Sequence, residues 1–294
     1  MPESTSINVG LIAKALPCAP LWIAQRAGLF AERGLDVRYE LLGSGDAVTA
    51  ALSDGRARFG LTTPEGALGD RALGGPLRIL GALANQLPFR LIGARGRDTI
   101  ASLRGGRVGV SSMTEGTVHV IQGMLARHGL RYPDDYRLDV VGTHVDRWEL
   151  LQKGEIDAGL QITPWDLMAI DAGFPDLGAP SRYFPEWAFI VVTSDSGWYR
   201  QHPGETESFL GALREGAAVI YADRQRAAEM VAAETGIGTR LVAAALGELA
   251  GGMLPQDLRI TPGAVASVVQ GMADGGASGD LDLARATVVD DAFL

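Results

Sequence analysis

Cysteine and histidine are scarce in this sequence, and their scarcity limits its chemistry. Cys18 is the only cysteine among 294 residues, so no disulfide can form within one chain and no cysteine-rich metal site is available. The four histidines follow no short metal-ligand spacing such as H-E-x-x-H. We predict a protein with no metal site and no cofactor.

Basic runs and long apolar runs are also missing. The formal net charge is −9 and no Lys/Arg run appears, which argues against a nucleic-acid partner. No stretch approaches the roughly 18 apolar residues of a membrane span. Residues 1–6 are polar and a strand pattern starts at Ile7. The printed sequence therefore shows no pattern of a secretory signal before the predicted fold begins. We expect a cytoplasmic location, or a periplasmic or cell-surface one if a signal segment was removed.

What the sequence does contain is an internal repeat. Residues 9–11 resemble residues 108–110, and residues 55–61 resemble residues 154–160, both at an offset of 99. Strand patterns alternate with helix patterns in each copy, which predicts βαβ units and parallel sheets. The predicted strands are residues 7–13, 36–42 and 57–62 in the first copy and 106–111, 137–142 and 155–161 in the second.

The remaining segments join and complete the two copies. Strand patterns cover residues 77–84, 88–94 and 188–193, and the last of these is fully apolar. Helix patterns follow over residues 205–222, 224–235, 239–250 and 261–275, with Asp223 and Thr239 as predicted caps and Gly236 as a predicted terminator. We predict an α/β protein of two similar, hinge-linked lobes with parallel-rich sheets flanked by helices. Lobe 1 comprises residues 1–92 and 189–294, lobe 2 comprises residues 93–188, and a ligand cleft lies between them.

The order of short motifs along the chain resembles a known family. The motifs are Ala19-Pro20-Leu21-Trp22-Ile23-Ala24, Gly28-Leu29-Phe30, Gly34-Leu35-Asp36-Val37, Gly60-Leu61-Thr62-Thr63, Arg107-Val108-Gly109-Val110-Ser111, Gly154-Glu155-Ile156-Asp157-Ala158 and the terminal residues 288–294. Together they resemble the type II periplasmic-binding-protein fold. The branch is that of the sulfonate, taurine, nitrate and thiamine-precursor (NMT1/THI5-like) binding proteins. The resemblance implies a two-lobed binder of a small molecule.

Candidate residues of lobe 1 follow the predicted strands. Cys18 precedes a helix that starts near Pro20, where free N–H groups and the helix dipole favour a thiolate. It is a nucleophile, a ligand contact or a packing residue. Glu65 is a cation binder, an acid/base group or a solvated helix residue. The predicted ligand-binding residues of this lobe are Lys14, Cys18, Ser44, Thr62, Thr63 and Asn85.

Candidate residues of lobe 2 occupy the matching loops. Hydroxyl groups before a helix form an anion site, an N-cap, or both. Trp165 offers a flat apolar wall with one N–H donor, and Arg182 is suited to pair with a ligand carboxylate or sulfonate. His144 lies at the cleft rim or on the surface. The predicted ligand-binding residues associated with this lobe are Ser111, Ser112, Thr114, Glu115, Thr117, Gln161, Trp165, Arg182 and Trp187.

Two functions compete. The first is the substrate-binding protein of an ABC-type uptake system, which binds a small anionic or heteroaromatic molecule and docks on a permease if exported. The second is a cofactor-free cytoplasmic enzyme on the same fold, with Cys18, Glu65 and His144 as its catalytic residues. The resemblance extends to sulfinate desulfinases, through Arg58-Phe59-Gly60 and Pro164-Trp165, and to a dihydroxyphthalate decarboxylase. Thiamine-pyrimidine synthesis is disfavoured because the chain has no cysteine-rich iron-binding run.

Overall fold

The chain divides into two compact units. A computed structural model describes residues 4–294 except 112, 114 and 115. Unit 1 comprises Met1–Gln86 and Glu186–Leu294, and unit 2 comprises Leu87–Pro185. The predicted lobe boundaries at 92 and 188 differ from these because the strand after residue 87 pairs inside unit 2. Within the described ranges, no helix is long and apolar enough to cross a membrane.

Unit 1 is built on a mixed five-stranded sheet. Its strands are β1 (Thr5–Leu11), β2 (Leu35–Leu41), β3 (Phe59–Thr62), β4 (Leu77–Ala84) and β9 (Ile190–Asp195), in the order β2-β1-β3-β9-β4. The first strand is parallel to β2 and β3, whereas β9 runs antiparallel to β3 and β4. Ala84 pairs with Ile190, so the last residue of β4 and the first of β9 share one edge of the sheet.

Helices flank this sheet. They are α1 (Ala19–Arg26), α2 (Gly45–Ser53), α3 (Glu65–Ala72), α7 (Ser196–Tyr199), α8 (Pro203–Ala222), α9 (Arg224–Thr235), α10 (Thr239–Glu248), α11 (Pro262–Asp274) and α12 (Leu281–Thr287). Phe59 stacks on Phe209 with ring centroids 4.0 Å apart, and Phe209 stacks in turn on Phe30 at 5.5 Å. This aromatic cluster is buried and joins β3 to α8.

Unit 2 repeats the plan with fewer elements. Its strands are β5 (Phe89–Gly93), β6 (Arg107–Val110), β7 (Arg137–Val140) and β8 (Ala158–Ile162), in the order β5-β8-β6-β7. Strand β6 is parallel to β7 and β8, and β5 is antiparallel to β8. Its helices are α4 (Gly116–Ala126), α5 (His144–Lys153) and α6 (Trp165–Asp171).

The sequence repeat corresponds to a repeated packing arrangement. In unit 1 the side chain of Val48 packs over Gly10 and Gly60, where an added Cβ would lie 3.4 Å and 2.8 Å from Val48 Cγ1. In unit 2 the stem of Arg147 covers Gly109 and Gly159, with contacts of 3.4 Å and 3.2 Å to added Cβ atoms. In each sheet, this pair of glycines makes room for one side chain of the second helix of that unit.

The predicted elements are largely confirmed, with some corrections. Asp223 caps α9 and Gly236 ends it in the left-handed conformation, as predicted. Thr239 is not a cap, because Gly238 holds that position and no side chain caps α10. The pattern over residues 281–287 was not predicted as a helix, although Asp280 accepts a hydrogen bond from the N–H of Leu283 and caps it.

Candidate functional site

Lys14 follows β1 but is bound to another part of unit 1. Its Nζ donates to the Glu234 carbonyl at 2.8 Å and to Glu234 Oε1 at 2.7 Å. The hydrogen bond that Lys14 donates to Glu234 raises the pKa of Lys14, and the Tyr39 hydroxyl donates to the same carboxylate. Lys14 therefore anchors the loop after β1 to the end of α9. A ligand contact through Lys14 remains a prediction that must compete with this ion pair.

Cys18 was expected to favour the thiolate form, and its surroundings favour the neutral thiol instead. It is the residue before α1, as predicted, but only 1% of it is exposed. Burial raises the pKa of its thiol to about 12. The expectation of a thiolate is wrong, because loss of hydration outweighs the favourable dipole of a short helix. A thiol held in this protonated state is a poor nucleophile near neutral pH.

The carboxyl edge of unit 1 gathers hydroxyl groups at the start of α2. Ser44 caps this helix by accepting a hydrogen bond from the Ala47 N–H at 3.2 Å. A Cβ added to Gly45 would lie 3.5 Å from Thr63 Oγ1 and 3.7 Å from Thr62 Oγ1. Thr62 is 2% exposed, and its hydroxyl has no hydrogen-bond partner among the described residues. Three of the predicted ligand-binding residues therefore lie around one helix start.

Asn85 is a second buried polar group at this edge. It is 8% exposed, and its Nδ2 donates to the Arg259 carbonyl at 2.8 Å. Its Oδ1 has no hydrogen-bond partner among the described residues. Trp187 donates its backbone N–H to the Asn85 carbonyl at 2.8 Å, and its side chain is buried. Glu65 is the first residue of α3 and is partly buried. Because α3 begins three residues after the end of β3, Glu65 lies close in sequence to the carboxyl end of that strand.

In unit 2, Ser111 is bound to a residue that the sequence analysis missed. The buried Arg147 donates from Nη1 to Ser111 Oγ at 2.6 Å and to the Gly142 carbonyl at 3.0 Å, and from Nε to the Leu160 carbonyl at 3.0 Å. Ser111 and Gly142 follow β6 and β7, and Leu160 lies in the middle of β8. The repeat offers the signal that was overlooked, because position 147 lies 99 residues after Val48.

His144, Gln161 and Trp165 lie together in unit 2. The rings of His144 and Trp165 have centroids 5.4 Å apart and are tilted by 54°. The Gln161 amide, oriented to satisfy both of its groups, donates to the His144 carbonyl at 3.0 Å and accepts from the Trp148 N–H at 3.2 Å. Burial, together with the nearby charge of Arg147, lowers the pKa of His144 to about 4. His144 is therefore a neutral group at pH 7.

The remaining predicted residues of this group differ in their surroundings. Thr117 is half-buried in the first turn of α4, and Arg182 is exposed in a short 3₁₀ turn. Ser112, Thr114 and Glu115 lie outside the described residues. Thr163, directly after β8, is 2% exposed and its hydroxyl has no hydrogen-bond partner among the residues described. It was not predicted as a site residue, although it matches Thr63 in the repeat.

The desulfinase-like arginine correspondence gains no support from the fold. Arg58 precedes β3 at its amino end, and its guanidinium lies 5.5 Å from the centre of the Trp198 ring. The predicted ligand residues Thr62 and Thr63 are at the opposite end of the strand. Arg58 is therefore placed to pack on an aromatic ring rather than to meet a ligand at the carboxyl edge.

The fold is that of the periplasmic binding proteins, because solved structures of this fold match nearly the whole chain. SsuA, the periplasmic aliphatic sulphonate-binding protein of Escherichia coli, matches with a TM-score of 0.77 and 15% identity, over 98% of this chain and 99% of that one. A ligand-binding component of an ABC-type import system from Staphylococcus aureus matches with a TM-score of 0.79 and 12% identity, over 99% and 98%. A DszB mutant in complex with biphenyl-2-sulfinic acid matches with a TM-score of 0.73 and 17% identity, over 98% and 97%.

The family follows from the sequence comparison. The family model described as NMT1/THI5 like matches residues 17–227, and the chain belongs to this family. A 4-amino-5-hydroxymethyl-2-methylpyrimidine phosphate synthase of Uromyces fabae is 25% identical over 227 residues, which are 69% of this chain and 63% of that protein. The chain thus spans less than two thirds of the length of this relative. The predicted resemblance to the thiamine-precursor branch is confirmed at the level of the family.

Proposed function

We propose that this protein binds a small organic molecule as the substrate-binding protein of an ABC-type uptake system. The state of Cys18 is the observation that carries the proposal. Its thiol is buried and its pKa is raised to about 12, which removes the best candidate nucleophile of the chain. Structural neighbours that are import-system binding proteins support the same choice.

The side chains near the carboxyl ends of the strands in each unit indicate which chemical groups the ligand carries. In unit 1 the buried Thr62 hydroxyl, which has no hydrogen-bond partner among the described residues, suits a polar or anionic group, whereas the unpaired Asn85 Oδ1 suits a hydrogen-bond donor of the ligand. The His144 and Trp165 rings in unit 2 suit a flat or apolar group. The ligand is thus a small anionic or heteroaromatic molecule. Binding in the cleft predicted between the lobes, and docking on a permease, are parts of the proposal that rest on the sequence and the family.

A second candidate is an enzyme of the same fold. It is favoured by the curated relatives, which are pyrimidine phosphate synthases, and by DszB among the structural neighbours. Glu65 and the neutral His144 are the side chains available for proton transfer in that case.

One experiment separates the two functions. Wild type and Cys18→Ala are screened by thermal shift against aromatic, heterocyclic and sulfonated acids, and each mixture is then analysed by mass spectrometry. Binding predicts a compound that raises the Tm of both proteins by several degrees and is recovered unchanged. A compound that wild type consumes and Cys18→Ala only binds would instead establish a cysteine enzyme. Consumption by both proteins would identify an enzyme that does not use the thiol.

A further inference from the structure

We infer that strand β2 is an interface at which two copies of this chain associate, with their β2 strands side by side and antiparallel. The partner is therefore a second copy of the same protein. The inference goes beyond the proposed function and does not depend on it. The backbone of β2, its charge pattern and one exposed apolar side chain carry it, all within unit 1.

Within the described residues, β2 is an open edge of the unit 1 sheet. It stands first in the strand order and pairs with β1 alone. The Leu42 N–H donates to the Leu11 carbonyl. Because backbone groups alternate in direction along a strand, the N–H and C=O groups of Val37, Tyr39 and Leu41 point away from β1. Such an edge is a template for a further strand.

The opposite edge of the same sheet is already covered. The Ile79 N–H of β4 donates to the Val288 carbonyl at 2.8 Å, and the Ile79 carbonyl accepts the Asp290 N–H at 2.9 Å. On β2 the outward Val37 carbonyl accepts from Gln25 Nε2 at 3.0 Å, which leaves its second lone pair for a further strand. A strand added to unit 1 therefore pairs with β2 rather than with β4.

The charges of β2 are self-complementary in one register. With Tyr39 opposite the partner's Tyr39, Arg38 faces the partner's Glu40, and Glu40 faces the partner's Arg38. Both side chains are exposed. Opposite charges at facing positions stabilise a strand pair, and like charges destabilise it. The two neighbouring registers place Arg38 opposite Arg38 or Glu40 opposite Glu40, so the charges select the register centred on Tyr39.

A more distant register is disfavoured by a backbone hydrogen bond. With Leu35 opposite the partner's Tyr39, Arg38 would face the partner's Asp36, again with opposite charges. That register needs the Leu35 N–H for the partner, but this N–H already donates to the Phe30 carbonyl at 3.0 Å. The register centred on Tyr39 does not use Leu35.

The carboxylate of Glu40 forms no ion pair among the described residues. Arg56 lines a cavity of about 150 Å³ together with Glu40, but it pairs with Asp54 at 2.8 Å. Arg38 pairs with Asp36 at 2.8 Å, and both side chains are exposed. Exposed ion pairs of this kind are weak, so Arg38 can bind the partner's Glu40 instead.

Strand β7, which lies last in the strand order of the unit 2 sheet, is less suited to such pairing. It repeats the charge pattern with Arg137 and Asp139, but it has four residues against seven in β2. Asp139 already accepts a hydrogen bond from Arg107 Nε at 2.6 Å. The contact between copies is therefore assigned to β2.

Leu41 adds an apolar contact to the same interface. It is 47% exposed and faces the partner's Val37 in this register. Covering Leu41 removes apolar area from water, which favours association. Each contact occurs twice about a two-fold axis, so the assembly closes at two copies. The interface is small, and we expect a dimer with a Kd in the micromolar range.

Charge reversal tests the interface and its register. In sedimentation velocity, the full-length chain should pass from monomer to dimer between about 5 and about 500 μM. Arg38→Glu and Glu40→Arg should each weaken association about tenfold, because each places like charges together at two positions of the dimer. The double variant Arg38→Glu/Glu40→Arg restores both pairs and should associate as wild type does.

A mixture of the two single variants gives a sharper result. Arg38→Glu has two acidic residues at the interface, and Glu40→Arg has two basic ones. Native mass spectrometry should therefore detect a heterodimer at a concentration where each variant alone is monomeric. This recovery could not occur if either substitution acted by unfolding the protein. The matched control is Arg137→Glu on β7, which should associate as wild type does.

Three outcomes would overturn the inference. They are a wild-type protein that stays monomeric over the whole range, single variants that associate as wild type does, and loss of association in Arg137→Glu. Loss in Arg38→Glu without loss in Glu40→Arg would overturn the register centred on Tyr39. None of these results bears on the organic-acid screen, so the proposed function is tested separately.

Discussion

At the residue scale, burial decides which side chains can carry charge. Cys18 and His144 are both titratable groups that the sequence places near helix starts. Burial keeps each of them neutral at pH 7, raising the pKa of the thiol to about 12 and lowering that of the imidazole to about 4. Neither group is therefore a charged ligand contact in the free protein.

His144 gives a prediction about acid stability. Its folded pKa lies below the ordinary value of 6.5, so the neutral form favours folding. This contribution is complete above about pH 6.5 and is lost as the pH falls towards 4, because the unfolded chain takes up the proton first. In His144→Gln, the free energy of unfolding from urea titrations should therefore fall less between pH 7 and pH 4.5 than in wild type.

The same prediction has a direct spectroscopic check. The protein has four histidines, so their imidazole signals form a small set in an NMR titration. The signal missing from His144→Gln identifies the residue. A midpoint near 4 agrees with burial of the ring, whereas a midpoint near 6.5 would contradict it.

At the element scale, close contacts between helices depend on particular glycines. Gly216 of α8 lies against α1, where an added Cβ would be 2.3 Å from the Pro20 carbonyl oxygen. Gly204, in the first turn of the same helix, has open space around it. The sequence alone does not separate these two positions, because both are glycines in one amphipathic helix.

The two glycines of α8 predict opposite effects of alanine. Gly216→Ala should lower the free energy of unfolding by about 1–3 kcal/mol, since the two helices must move apart. Gly204→Ala should leave it unchanged or raise it by up to about 1 kcal/mol through helix propensity. Urea unfolding of both variants measures the difference. Equal stabilities would show that α1 and α8 are not in such close contact.

Arg147 gives a second prediction at this scale. Its guanidinium donates to the carbonyl of Leu160 within β8, and to the Gly142 carbonyl and Ser111 Oγ, which follow β7 and β6. Arg147→Met should lower the free energy of unfolding by about 2–4 kcal/mol, because these buried acceptors lose their donor. Arg56→Met, at an exposed ion pair with Asp54, should change it by less than about 0.5 kcal/mol. A small effect of Arg147→Met in urea unfolding would contradict this.

At the scale of the whole molecule, unit 1 is assembled from two distant parts of the chain. The Trp187 N–H donates to the Asn85 carbonyl at 2.8 Å, so the chain leaves and re-enters unit 1 at neighbouring points. Strand β9 then enters between β3 and β4. Unit 2 is continuous in sequence and forms its own sheet.

This arrangement predicts that unit 1 folds without unit 2. Replacing residues 87–185 by a short Gly-Ser linker should give a protein with a cooperative thermal transition and a well-dispersed amide spectrum, because the ends to be joined are already adjacent. The separate segment 87–185 is the matched companion variant. A poorly dispersed spectrum for the joined unit 1 would show that its sheet needs unit 2 to form.

Site residues that follow a strand can be predicted from the sequence, whereas residues that matter through tertiary contacts cannot. Ser44, Thr62, Thr63 and Asn85 were found because they follow strands, and strand ends are read from local patterns. Their assignment to a ligand stays a prediction. Arg147 was missed because its contacts with three neighbouring strands are not marked by any motif around it, and its match to Val48 in the repeat shows the position but not these contacts.

The two copies, the alternation of strands and helices, the segments that follow each strand and the family resemblance can all be predicted from the amino-acid sequence. These depend on periodicity and spacing within short windows, which hold wherever the chain is placed. The burial of Cys18, the pairing of Lys14 with Glu234 and the position of β9 between β3 and β4 are seen only in the folded chain. Burial and pairing of this kind are set by residues far apart in sequence, and no local pattern contains them.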